Sequence, residues 1–161
     1  MRLINALVLL CVVAGCSSSP PRDPAWNGTP DWDTASGAQR AVVKRALGYV
    51  GVPYRYGGDS ADTGFDCSGL VWRVYRQAAG LRLPRDSYSI SRKGVAVSSR
   101  ALKPGDLVFF NTQRRPYSHV GIYLGKNRFV HAPSSGGVVS VARISDRYWR
   151  NRFNGGRRLV F

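Results

Sequence analysis

Three side chains in this 161-residue chain are of the types that nucleophilic acyl chemistry needs: Cys67, His119 and His131. Cys11 lies inside an apolar N-terminal stretch and Cys16 ends it, so Cys67 is the only thiol left in the body of the chain. An unpaired thiol in an oxidising compartment is a liability unless it has a task. It follows Asp66 directly and opens a run in which Cys67, Leu70, Val71, Val74, Tyr75 and Ala78 recur at helical spacing. Free N–H groups in the first turn, with the helix dipole, favour a thiolate there. Position alone also suits a buried core cysteine, the first member of that stripe.

A thiol nucleophile needs a base to take its proton and a third group to orient the base. The two histidines, the only ones present, complete that set. Taken singly, each reads as a hydrogen-bonded structural side chain. The same three groups with a water would also make a catalytic zinc site, although a helix N-terminus disfavours a cation. The chain contains no Glu. That excludes the His-Glu-x-x-His zinc peptidase motif and any glycosidase pair built on Glu.

The elements that must position these groups are legible in outline. Ala38, Val42, Val43, Ala46, Leu47 and Val50 predict a helix that Gly51 and Pro53 stop. A Gly-rich loop, Tyr54-Arg55-Tyr56-Gly57-Gly58, leads to the Cys67 helix, which spans about 66–79 and closes at Gly80. A short turn or helix is expected near Asp86 or Ser87. Beyond Pro104-Gly105-Asp106, the segments 107–110, 119–124, 128–132, 138–141 and 158–161 read as strands. Helices first and strands afterwards argue for an α+β fold.

Within the pair 119–124 and 128–132, a three-residue loop Gly125-Lys126-Asn127 would set Leu124 opposite Arg128 and Gly121 opposite His131. Both histidines then share one face, turned toward Cys67, with Gly121 leaving room for the rings to meet. A two-residue loop would turn His131 to the opposite face.

The N-terminus has a different texture. Arg2 followed by the apolar stretch Leu3 to Gly15 is too short to span a membrane and reads as a secretory signal, residues 1–15. Val13-Ala14-Gly15-Cys16 resembles a lipobox, which makes Cys16 an acylated N-terminus and 16–37 a tether. Ser17, where Asp would signal retention in the inner membrane, points to the periplasmic face of the outer membrane. The tether holds four of the nine prolines and as a coil spans roughly 25–30 Å; Trp26 and Trp32 have no assigned role. Residues 38–161 carry 22 Lys and Arg against 6 Asp, a net of +16. Such a surface attracts anionic polymers. For a secreted lipoprotein these are lipopolysaccharide or peptidoglycan stem peptides, not nucleic acid, although 20 Arg against 4 Lys also fits a biased genome composition.

Asp66-Cys67-Ser68-Gly69, His119-Val120-Gly121-Ile122-Tyr123 and Val130-His131-Ala132 form an ordered series. Tyr54-x-x-Gly57-Gly58, Pro104-Gly105-Asp106-Leu107, Tyr148-Trp149 and Arg157-Arg158 accompany it. Over essentially all of residues 38–161 this series resembles the NlpC family of papain-like cell-wall cysteine peptidases. With the lipobox, the similarity is greatest to outer-membrane lipoprotein murein endopeptidases. The resemblance implies N-terminal helices packed on a mostly antiparallel sheet.

It also implies Cys67 as nucleophile, His119 as general base, His131 as its orienting group, and a Tyr54 hydroxyl reaching the thiol. The backbone N–H of Cys67 or Ser68 is the candidate oxyanion donor. Asp66, Arg85 and Ser87 fall in the segments that line a substrate groove. Relatives often carry a Gln shortly after that pair; here Ile90 and Ser91 stand nearby. The implied reaction is hydrolysis of a stem-peptide amide through an acyl-enzyme, with no cofactor or metal and the protein a monomer. The bond is the D-alanine–diaminopimelate cross-link or, alternatively, the D-glutamate–diaminopimelate bond. Acyl transfer to an amine and a non-catalytic wall-binding lipoprotein are the other readings; loss of the Cys or a His would mark the latter, and none is lost.

Overall fold

The computed structural model describes residues 29–135 and 137–161. The signal segment, Cys16, Trp26 and most of the expected tether lie outside the described residues.

Helix α1, Gly37–Leu47, starts at a reciprocal cap: Ser36 Oγ accepts from Gln39 N, and Ser36 N donates to Gln39 Oε1. It buries Val42, Val43 and Ala46. Helix α2, Cys67–Ala79, is capped by Asp66 and closed by Gly80 in the left-handed conformation that glycine tolerates. It buries Leu70, Val71, Val74 and Tyr75 against α1 and the sheet. The short hairpin β1 (Asp59–Ser60) and β2 (Gly64–Phe65) lies beside α2. One turn of helix, α3 (Ser87–Ile90), starts at Asp86, whose Oδ1 accepts from Ser89 N. Among the described residues no helix is long and apolar enough to cross a membrane.

The six-stranded sheet comprises β3 (Val95–Val97), β4 (Leu107–Phe110), β5 (His119–Gly125), β6 (Arg128–His131), β7 (Ser140–Arg143) and β8 (Phe153–Arg158). Its order is β3-β8-β4-β5-β6-β7, and every pairing is antiparallel. One face packs on the helices through Leu107, Phe109, Val120, Ile122, Leu124 and Val130. The other carries a second core of Val108, Phe110, Tyr123, Phe129 and Ala142, closed by Trp149 from the one-turn helix α4 (Arg147–Arg150).

Three expectations need correction. The last strand is Phe153–Arg158, not 158–161, and the strand expected at 138–141 runs from Ser140 to Arg143. The segment Phe153-Asn154-Gly155-Gly156-Arg157-Arg158 has no apolar alternation. It forms a strand because β3 and β4 flank it, and a Cβ at Gly156 would lie 2.7 Å from Leu102 Cδ2. Ahead of α1, Asp31 N donates to Leu124 O, Arg40 holds the carbonyls of Trp32 and Ala35, and Trp32 packs on the main core.

The third correction is the β5–β6 turn. Gly125, not Leu124, is opposite Arg128, so the loop has two residues. Lys126 and Asn127 both have positive φ, as a primed hairpin turn requires. The register shifts between Tyr123 and Gly125, leaving Leu124 as an extra residue, and pairing resumes with Tyr123 opposite Phe129 and Ile122 opposite Val130. The bulge restores the parity that a two-residue loop alone would have broken.

Candidate active site

His119 opens β5 and His131 closes β6, on the face that holds the second core. Their rings are joined by a hydrogen bond between His119 Nε2 and His131 Nδ1, 3.0 Å long. His131 is absent from the lining of the Cys67 cleft and bonds to His119. The room above Gly121 is not where the two imidazoles meet: a Cβ there would lie 2.6 Å from the Phe129 ring, which packs against His131 at 5.1 Å between centroids. Trp149 stacks on His119 at 5.5 Å and meets His131 edge-on at 4.8 Å. Both histidines are 1% exposed.

Cys67 begins α2 and keeps partial exposure in a cleft of about 320 Å³ that Tyr54, Asp66, Ser68, Arg85, Ser87 and His119 also line. Thus the sequence-expected residues share one cleft, His131 excepted. A roomier cavity of about 400 Å³ lies between α1 and α2, but it holds no nucleophile and no base beyond lysine and arginine. The backbone N–H groups of Val120, Ser68 and Cys67 itself lie close enough to the Cys67 sulfur to favour its charged form. The last two are the donors an oxyanion would use.

Protonation differs from the expectation raised by the helix start. Burial, and after it the carboxylate of Asp66, push the Cys67 thiol up to about 11, more than the three N–H groups pull it down. The residue that caps the helix is the one that opposes negative charge on the thiol. Burial brings the His119 imidazole down to about 4. At neutral pH the resting pair is therefore a thiol and a neutral imidazole. Tyr54 is held above the ordinary phenol value by burial, then by Cys67 and Asp66.

A pH profile follows. The His119 base is lost only as pH falls through about 4, so kcat/KM on a soluble substrate should hold level down to about pH 5. An acid limb near the ordinary histidine value of 6.5 would contradict this. Stability has the same sign. The unfolded chain takes up the proton near 6.5 and the folded one near 4. The contribution is complete above about 6.5 and is lost toward 4, on the order of 3 kcal/mol.

The other expected residues have clear local duties. Asp66 Oδ1 accepts from Gly69 N at 2.6 Å and lies 3.0 Å from Ser68 Oγ, while Oδ2 accepts from Gly57 N. Arg85 pairs with Asp66 at 3.5 Å and donates to the carbonyls of Gly57 and Gly58 and to Ser68 Oγ. Its guanidinium fastens the Gly-rich loop to the start of α2. A Cβ at Gly69 would lie 2.0 Å from Gly58 O, so that approach requires glycine. Ser68 Oγ donates to Arg85 O, and Ser87 Oγ donates to Tyr117 O.

Each histidine spends one ring nitrogen on the other. Among the described residues no cluster of three His, Cys, Asp or Glu has metal-binding geometry. Sequence reasoning gave no role to Trp149, or to Gln113, Arg115 and Ser118 of the loop before β5, which also line the cleft. A lone tryptophan amid arginines, in Arg147-Tyr148-Trp149-Arg150, was the available sign of the first.

A helix-borne cysteine facing a histidine from an antiparallel sheet defines a papain-like α+β protein. The sequence profile of the NlpC/P60 family matches residues 51–158, and the chain belongs to that family. It is 46% identical over 119 residues to the murein DD-endopeptidase MepS/murein LD-carboxypeptidase of Escherichia coli K12, covering 74% of this chain and 62% of that protein. It is 44% identical over 119 residues to the gamma-DL-glutamyl hydrolase of Bacillus subtilis 168, covering 73% of this chain and 29% of that one. The chain thus spans less than two thirds of the length of these curated relatives. The crystal structure of a protein similar to lipoprotein, NLP/P60 family, from Staphylococcus aureus superposes with a TM-score of 0.70 at 34% identity, covering 84% of this chain and 45% of that one.

Proposed function

We propose that the chain is a peptidoglycan endopeptidase that hydrolyses stem-peptide amides through a Cys67 thioester, at the D-alanine–diaminopimelate cross-link. The observation that carries this reading is the His119–His131 hydrogen bond, with His119 in the Cys67 cleft. Identity to a murein DD-endopeptidase supports the choice of bond.

His119 Nε2–H donates to His131 Nδ1, which leaves His119 Nδ1 as the acceptor for the thiol proton. The sulfur attacks the carbonyl carbon, a C–S bond forms, and the oxygen takes its charge against the N–H groups of Cys67 and Ser68. His119 returns the proton to the departing nitrogen as the C–N bond breaks. Water, deprotonated by His119, then attacks the thioester; the C–S bond breaks and the thiol regains its proton. His131 holds the imidazole in one tautomer and steadies its cationic form. Tyr54, beside the thiol, and Ser87 shape the cleft, and Asp66 and Arg85 hold its rim.

The D-glutamate–diaminopimelate bond is the second reading, favoured by the identity to a gamma-DL-glutamyl hydrolase. Incubation with purified cross-linked dimers and with monomers, read by mass spectrometry, separates the two. Conversion of dimers to intact monomers is expected. Shortened monomers mean the other bond is cut, and intact starting material throughout means a non-catalytic wall-binding protein.

The N-terminal series Val13-Ala14-Gly15-Cys16 supports anchoring by lipid at Cys16 on the periplasmic face of the outer membrane. Cys16→Ser should move the protein from the membrane to the soluble fraction. A wild-type protein found soluble in the periplasm would end this part of the reading.

A further inference from the structure

The cleft that holds Cys67 continues past His119. A second cavity, about 270 Å³, shares His119 and Ser134 with the first, and Thr112, Tyr148, Trp149 and Arg152 also line it. The chemistry gives these two spaces a direction. His119 must deliver its proton to the departing nitrogen, so the leaving half of the substrate lies on the His119 side of the scissile bond. The acyl half stays with the Cys67 sulfur. The cavity beyond His119 is therefore the receptacle of the leaving half.

Its polar equipment is specific. The Arg152 guanidinium lies 4.0 Å from the centre of the Tyr148 ring and donates to Tyr148 O at 3.0 Å. A guanidinium has five donors in a planar fork, and this contact uses one of them. Among the described residues no Asp forms an ion pair with Arg152. It differs in this from Arg85 in the other cleft, whose fork is taken up by Asp66 and the Gly57-Gly58 carbonyls. Thr112 adds a buried hydroxyl oxygen with no partner in the wall of the same cavity. A guanidinium held over a tyrosine ring in the wall of a cavity, with donors to spare, suits bidentate recognition of a carboxylate.

We propose that Arg152 is a specificity residue that binds a free carboxylate on the carbon bearing the departing amine. The inference rests on the endopeptidase reading and sharpens it. In the cross-link, the departing nitrogen sits on a diaminopimelate carbon that also carries a free carboxylate. In the bond from D-glutamate, the departing nitrogen sits on a carbon whose carboxyl is already joined to the next residue. Arg152 thus favours the cross-link, and it makes amidation of that carboxylate a means of protecting the wall from this enzyme.

The test uses the full chain in detergent and two purified muropeptide dimers, identical except that one has the diaminopimelate carboxylate next to the cross-link amidated. Wild type should show a kcat/KM about 10–100-fold higher on the free acid, the range of a charge-assisted hydrogen-bonded pair. Arg152→Gln should bring the ratio of the two substrates close to one, mostly through KM. Arg152→Lys should keep an intermediate preference, since it retains charge but not the fork. Equal rates of wild type on both dimers would overturn the proposal while leaving the endopeptidase reading intact. So would an Arg152→Gln enzyme that slows equally on both, the mark of a scaffold role. Release of shortened monomers would overturn the endopeptidase reading and this proposal with it.

Discussion

Cys67→Ala is expected to lower turnover at least about 10⁴-fold, because it removes the cleft's one thiol and with it the acyl-enzyme. His119→Ala should cost about 10³–10⁴-fold, and for a reason peculiar to this site. With the thiol at about 11, only about one molecule in 10⁴ carries a thiolate at pH 7 unless the imidazole takes the proton during attack. The same variant should therefore recover part of its rate as pH is raised toward 10, whereas Cys67→Ala should not.

His131 acts on the reaction through His119 and gives a milder series. His131→Gln or His131→Asn keeps an oxygen that can accept from His119 Nε2 and should leave a measurable fraction of activity. His131→Ala strands that N–H in a buried site, a cost of about 1–3 kcal/mol or roughly 10–100-fold. Steady-state rates on soluble cross-linked dimers across these variants test the order. A His119→Ala enzyme of normal rate, or a His131→Gln enzyme as inert as Cys67→Ala, would sink the mechanism.

What the sequence could convey depended on whether a feature was local. The start of α2 was legible because its cap, its apolar stripe and its closing Gly80 lie within fifteen residues of one another. Strands β4 and β5 were legible because nearly every residue in them is apolar and buried. β8 was not, since two glycines and two arginines become a strand only through the neighbours that β3 and β4 supply. The shared face of the two histidines was inferred through the wrong turn: Leu124 bulges, and nothing local to Gly125-Lys126-Asn127 distinguishes a three-residue loop from a two-residue turn beside a bulge. The hold of Arg85 on the Gly-rich loop was not legible, because Gly57 and Gly58 precede it by 28 and 27 residues. The thiol's charge state was out of reach for the same reason. The helix start that lowers its pKa is local, while the burial that raises it exists only once the rest of the chain has packed around the helix.

Trp149→Ala should be the most destabilising single truncation at the site. The side chain is 1% exposed and fills the second core from a helix of one turn. Its ring lies 4.8 Å from Phe110 and 5.0 Å from Phe129, besides its contacts with both histidines. Removing a buried tryptophan costs about 3–5 kcal/mol. In a domain of this size that lowers the melting temperature by roughly 10–20 °C. Stability loss alone would not distinguish this residue from any other core aromatic. Its stack on His119 does, because burial is the cause that holds the imidazole down to about 4. Opening that face to water should raise the His119 pKa, so the acid limb of the kcat/KM profile should move up toward 6.5, measured below the lowered melting temperature. Trp149→Phe, which keeps an apolar ring in place, should shift the limb less and retain most of the stability. An acid limb that stays near 4 in Trp149→Ala would show that the tryptophan supports the fold without setting the base.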